Sequence, residues 1–372
     1  MNLKPAGIEQ RKFAVLGILW PSMKFAEKEL IPSGAAGLGQ TEEEEMGEWL
    51  ESLKGCFDNP DADARIEKAK QLVTLIRSDS DACRELMDVI RSLPRKNEIH
   101  PDDASDQFFT IPDDTLVDIL SRPDLPVATE ETGGAAAFDA SIGPSLDAGG
   151  ALGFNIFGGI TSAVRKVLNF TTYYQMKERA GVVGRNGAYQ VLQKIRKAQP
   201  SIKVHLIGHS FGGRLVTALA DGPQGKDPIL PESMTLLQAA FSHNGFALNF
   251  DGNKDGFFRS VVSEKKVKGP VLISHTVKDL AVGIAYAVAS KLSGVNAAAF
   301  GGPEDRFGGI GRNGAQSTPE AENSTPLGPV TSQYTFQAGK LYNLKADTII
   351  LGHADIVKAE IAHAVLSAVA SI

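Results

Sequence analysis

Lys203-Val204-His205-Leu206-Ile207-Gly208-His209-Ser210-Phe211-Gly212-Gly213-Arg214-Leu215-Val216-Thr217-Ala218-Leu219-Ala220 carries an extended apolar run into a helical one through a glycine-flanked serine. A strand-to-helix turn this tight strains the backbone of the residue at its apex. Residues two positions away on each side, Gly208 and Gly212, must then lack a Cβ to avoid collision, and Gly213 follows directly. A serine that merely caps a helix asks for no such pair of glycines. The stretch therefore reads as a nucleophile elbow, with Gly208, His209, Gly212 and Gly213 shaping the turn. It lifts the Ser210 hydroxyl clear of a sheet edge. The Phe211 N–H, at the start of a helix whose dipole favours negative charge, points toward an attacked carbonyl oxygen.

Outward from the elbow, strand and helix patterns alternate. Thr235–Phe241, Val271–His275 and Thr348–Leu351 read as strands, and Gly187–Ala198, Leu280–Leu292 and Ala354–Ala370 as helices. Alternation of this kind predicts an α/β fold with a mostly parallel sheet, helices on both faces and ligands at the carboxyl ends of the strands. Upstream, Phe13–Trp20 reads as one buried strand ended by Pro21-Ser22. Ile66, Ala69, Leu72, Val73 and Ile76 share one helical face, and Leu86, Met87, Ile90 and Leu93 another. Gly133–Ile160, rich in glycine and alanine, reads as a pliable connector or lid.

Composition excludes several function classes. The 372 residues with 42% hydrophobic content can bury a substantial core, as a globular enzyme requires. A net charge of −6 and a pI near 5.7 leave no basic stripe for nucleic acid. No run approaches the roughly 18 apolar residues of a spanning helix, and no export signal is visible, so the expectation is a cytoplasmic location with no transmembrane segment. Cys56 and Cys83 form no C-x-x-C pair and read as free thiols, with neither a disulfide framework nor a metal site.

A serine hydroxyl needs a base to take its proton, and the base needs a third group to fix its tautomer. Of seven histidines, His353 alone falls in a loop between the last expected strand and the last helix, as Gly352-His353-Ala354-Asp355, which makes it the candidate base. His243 is the reserve. Asp279, a short loop beyond the strand Val271–His275, is the candidate acid, against its simpler role as a helix N-cap; Asp251 and Asp255 are the alternatives. Gly309-Ile310-Gly311-Arg312-Asn313-Gly314 matches G-x-G-x-x-G but follows no strand and precedes no helix, so it reads as a loop rather than a nucleotide site. Glu42–Glu45 reads as a solvated helical face.

Through Trp20-Pro21-Ser22, Tyr173-Tyr174-Gln175-Met176-Lys177, Gly208–Gly213 and Gly352–Asp355, the chain resembles the α/β-hydrolase superfamily of serine esterases and lipases. The likeness runs from about residue 13 to the C-terminus. It implies an α/β-hydrolase core over 1–22 and 171–372, with a helical and Gly-rich cap or lid over 23–170 that covers the carboxyl edge of the sheet. It also implies cleavage of a small-molecule ester through an acyl-enzyme formed on Ser210, with His353 and Asp279 as partners and no cofactor or metal. The sequence departs from the family upstream, where a single strand precedes the elbow and no His-Gly pair follows it. Either the sequence begins after the His-Gly strand, in which case the loss of one oxyanion donor predicts a turnover lower by about 10²–10³, or the turn at Ser22 and Met23 is the candidate second donor. Small or medium acyl esters are the expected substrates. Lipase, thioesterase, amidase or acyltransferase chemistry would use the same triad, and a catalytically weak acyl-ligand-binding homologue is the alternative from a different class.

Overall fold

The computed structural model describes residues 7–8, 10–20, 42–76, 78–95, 105–121, 127–128, 135–136, 156–282, 286 and 302–372. Its centre is a sheet of five parallel strands: β3 (His205–His209), β4 (Ser233–Leu237), β5 (Val271–His275), β6 (Ala321–Pro326) and β7 (Leu341–Lys345), in the spatial order β3-β4-β5-β7-β6. A separate two-residue hairpin pairs β1 (Val127–Ala128) with β2 (Ala135–Ala136). The molecule is therefore a mixed α/β protein built on a parallel sheet.

Side chains alternate across a strand, and the sheet uses both faces. Met234, Leu236, Val271, Ile273 and Leu341 enter the larger core cluster, whereas Leu237, Leu272 and Leu344 enter a second cluster with Ile361, Ala364 and Ala368. The second set comes from the C-terminal helix α11 (Ala359–Ala370). Helices thus cover both faces. On the larger side, α8 (Phe211–Asp221) runs back along β3 from the elbow and packs against α6 (Ile156–Val182), which continues through a π-helical turn (Val183–Ala188) into α7 (Tyr189–Ala198). Gly184 makes this packing close, because a Cβ there would lie 2.2 Å from the Leu215 carbonyl oxygen.

The helices α1 (Glu42–Ser52), α2 (Ala62–Val73), α3 (Ser80–Arg91), α4 (Ser105–Thr110) and α5 (Asp113–Ser121) form a layer on α6. Both apolar stripes expected from the sequence face inward, with Ile66, Ala69, Leu86, Met87, Ile90 and Leu93 fully buried. Asp79 caps α3 by accepting hydrogen bonds from the Asp81 and Ala82 amides. One continuous core joins this layer to the sheet, and α6 crosses residues 170–171 without a break. The four-glutamate run opens α1, where Glu45 pairs with Arg165 of α6 at 2.7 Å. Cys56 and Cys83 are free thiols, both pushed up in pKa by burial. Among the described residues no helix is long and apolar enough to cross a membrane.

Several elements differ from the sequence reading. Phe13–Trp20 forms no strand: Val15 is 97% and Leu19 100% exposed. Its apolar run signals a demand for cover without supplying a ladder partner. Two strands, β6 and β7, are unexpected, and β6 stands where the sequence is polar. Within β7, Asn343 is buried because its amide exchanges two hydrogen bonds with the Ala315 main chain, at 2.8 and 3.0 Å, and this interrupts the apolar pattern. Thr348–Leu351 is a turn rather than the last strand, although Ile350 is fully buried, and the last helix begins at Ala359 rather than Ala354. Helical residues 280–282 and 286 match the expected Leu280–Leu292 helix, whose remainder lies outside the described residues, as does most of Gly133–Ile160.

Candidate functional site

Three loops leave the carboxyl ends of β3, β5 and β7 and converge. Ser210 follows β3 directly, Asp279 lies four residues beyond β5, and His353 sits in a turn between β7 and α11. The His353 Nε2 is 2.8 Å from Ser210 Oγ, and its Nδ1 is 2.9 Å from Asp279 Oδ2. With the ring proton on Nδ1, the imidazole donates to the carboxylate and accepts from the serine hydroxyl. The sequence-selected serine, histidine and aspartate are thus in one hydrogen-bonded chain.

Ser210 has φ 56° and ψ −128°, a left-handed conformation that an L-residue holds only when its surroundings over-determine it. The determinants are visible. The Ser210 N–H donates to the Leu237 carbonyl at 3.1 Å, and the Ser210 carbonyl accepts from the Ala240 N–H at 3.0 Å, so the end of β4 clamps the elbow on both sides. A Cβ on Gly208 would lie 2.2 Å from the Gly212 carbonyl oxygen, and one on Gly213 would lie 2.4 Å from Ala239 Cβ. Gly212 differs from the sequence argument: among the described residues, no atom beyond its chain neighbours and its own helix backbone lies within 4 Å of its Cβ position. The steric requirement falls on Gly208 and Gly213, and the space beside Gly212 is open.

Asp279 fills both roles that the sequence left in competition. Its Oδ2 meets His353, while Oδ1 accepts the Val282 N–H at 3.0 Å and so caps the helical turn that begins at Leu280. The carboxylate is fully buried, and the His353 side chain is 13% exposed. His209, the variable elbow residue, also reaches His353: its Nε2–H donates to the His353 carbonyl at 2.8 Å, with the two rings 4.9 Å apart. Phe211 opens α8, so its amide lies in the first turn of that helix, and its ring packs 5.1 Å from Tyr173 of α6. Ser22 and Met23 lie outside the described residues; Trp20, just before them, packs against the larger core.

The other described histidines do other work. His205 meets Ser233 Oγ at 2.8 Å, His275 lies 3.4 Å from the Arg312 carbonyl, and His363 meets the Ser332 carbonyl at 2.8 Å. The reserve base His243 is fully buried, which pushes its pKa down to about 4, and its Nδ1 accepts from the Asn313 amide at 3.1 Å. Asp251 pairs with Arg306 at 2.7 Å and Asp255 accepts from the Asn249 N–H at 3.0 Å. The contacts named here reach neither Ser210 nor His353.

The hexapeptide Gly309–Gly314 is not the open loop expected. It folds around a short helix, α10 (Ile310–Asn313), which comes after α9 (Arg259–Ser263) in the chain and lies beneath the site. Gly311 N–H donates to the Ala239 carbonyl and Thr276 N–H donates to the Gly311 carbonyl, both at 3.1 Å, so the segment ties together the loops after β4 and β5. Arg312, 1% exposed, donates through Nη1 to the carbonyls of Val277 and Asp279. Burial pushes its pKa down, against the opposing pull of the Asp279 and Asp347 charges. The sequence reading passed over Arg312, because no local pattern relates it to a loop more than thirty residues away.

The chain matches no known protein-family model, and no curated protein or solved structure shows significant similarity to it.

Proposed function

We propose that the protein is a serine hydrolase of the α/β-hydrolase type, a carboxylesterase acting on small or medium acyl esters. The observation that carries this reading is the chain Asp279–His353–Ser210, with both hydrogen bonds below 3 Å and the serine in a strained, left-handed conformation at the carboxyl end of its strand. Ser210 Oγ attacks the ester carbonyl as His353 Nε2 takes its proton, and His353 returns that proton to the leaving alcohol. Asp279 holds the tautomer and stabilises the imidazolium that forms. The Phe211 N–H, in the first turn of α8, binds the oxyanion. A water molecule activated by His353 then releases the acid.

The test is hydrolysis of p-nitrophenyl esters from acetate to palmitate, together with labelling by a fluorophosphonate. Labelling at Ser210, with turnover that rises with pH as His353 loses its proton, is the expected result. An unlabelled Ser210 and no turnover on any chain length would leave an acyl-binding protein instead.

A further inference from the structure

Asp279 must present Oδ2 to His353 from a loop, and loops place side chains less accurately than strands do. Three residues separate it from the end of β5. A half-buried carboxylate and a buried guanidinium hold that loop. Asp347 Oδ1 accepts the Val277 N–H at 3.0 Å, and Arg312 reaches from the opposite direction to the Val277 carbonyl and, at 3.4 Å, to the carbonyl of Asp279 itself.

Burying a guanidinium carries a large desolvation cost. Among the groups Arg312 touches for that cost is the peptide carrying the carboxylate. Its backbone is fixed just as firmly, since Arg312 N–H donates to the Gly309 carbonyl at 3.0 Å and Gly311 cannot carry a Cβ without meeting the Gln238 backbone at 2.5 Å. We infer that Arg312 is a positioning residue for the proposed hydrolysis: its guanidinium, fixed by α10, sets the Asp279 carboxylate on His353 Nδ1. The inference rests on the hydrolase reading. It also gives the Gly309–Gly314 motif a role, with its glycines admitting the backbone close enough for the arginine to reach the acid loop.

The experiment compares Arg312→Met and Arg312→Lys in the wild-type and Asp279→Asn backgrounds, by steady-state ester hydrolysis with folding checked by circular dichroism. Misplacing a catalytic group by an ångström costs on the order of 10²-fold, so Arg312→Met is expected to lose kcat by about that factor with KM nearly unchanged. Arg312→Lys keeps the charge with a shorter reach, is the better folded of the two, and is expected to lose about tenfold. Because the effect runs through Asp279, neither change should lower kcat further once Asp279→Asn is present. A loss of equal size in both backgrounds, a loss carried by KM, or full activity in Arg312→Lys together with Arg312→Met overturns the inference. A wild-type protein that neither labels nor turns over overturns the hydrolase reading itself, and this inference with it.

Discussion

Gly208–Gly213 and Gly309–Gly314 are each six residues long and each hold three glycines, yet they do opposite things. In the first, glycine lets the chain reverse so that Ser210 stands out from the end of β3 at φ 56°. In the second, glycine lets the backbone sink: a Cβ on Gly309 would lie 1.9 Å from Val282 Cγ1, and one on Gly311 would strike the Gln238 backbone. One stretch displays a side chain and the other clamps the loops that serve it. Composition does not distinguish them. The first is explained by its own flanking strand and helix, whereas the second acquires its meaning from chain segments about thirty to seventy residues away.

The sharpest way to break this contrast is at the displayed serine. Ser210→Ala and His353→Ala are each expected to lower kcat by about 10⁵–10⁶, and Asp279→Asn by about 10⁴, with little change in KM. Ester hydrolysis measures all three. Wild-type rates in Ser210→Ala would end the serine mechanism.

Next in size are the glycines themselves. Alanine at Gly208 or at Gly311 meets backbone that cannot yield, so urea denaturation should show each variant destabilised by roughly 3 kcal/mol or more. Gly212→Ala, with open space around it and a place in α8, is expected to hold or raise stability by up to about 0.5 kcal/mol. Equal losses at Gly208 and Gly212 would restore the symmetric steric rule that the sequence suggested.

The clamp also predicts a pH effect. His243, buried beside Asn313, has its pKa pushed down to about 4, below the usual value near 6.5 in an unfolded chain. Between those values the unfolded chain binds more protons, so stability is complete above pH 6.5 and falls as the pH drops toward 4, by up to about 1.4 kcal/mol per pH unit. Denaturation midpoints at pH 7 and pH 4.5 should show a shallower fall in His243→Gln than in wild type. The smallest effect belongs to the N-terminal run: Val15→Ser and Leu19→Ser, at fully solvated positions, should shift stability by less than about 0.5 kcal/mol.

How far the sequence can be read depends on how local each cause is. Ser210, Asp279 and His353 were legible because a nucleophile elbow, a loop after a strand and a loop before the last helix each leave a signal within a few residues. The same holds for the inward stripes of α2 and α3, whose 3.6-residue period needs no partner to be seen. β6 and β7 were not legible, since Ala321–Pro326 is polar and Asn343 spends its amide on Ala315 across 28 residues. Phe13–Trp20 failed in the other direction. Hydrophobicity reports that a segment can be buried, and only a neighbour decides whether it is.

The sequence by itself determined the alternating α/β order, the strained serine and the three residue types that can pass a proton among them, because propensity, periodicity and turn chemistry act between near neighbours. Tertiary structure alone decided that Asp279 serves both as cap and as partner of His353. It alone decided that His209 grips the His353 carbonyl, and that a glycine-rich hexapeptide with no local reason to matter carries Arg312 beneath the acid. Those contacts join residues from 33 to 144 positions apart, apart from the cap, and a distance of 3 Å across such a separation is set by how the sheet and its loops pack.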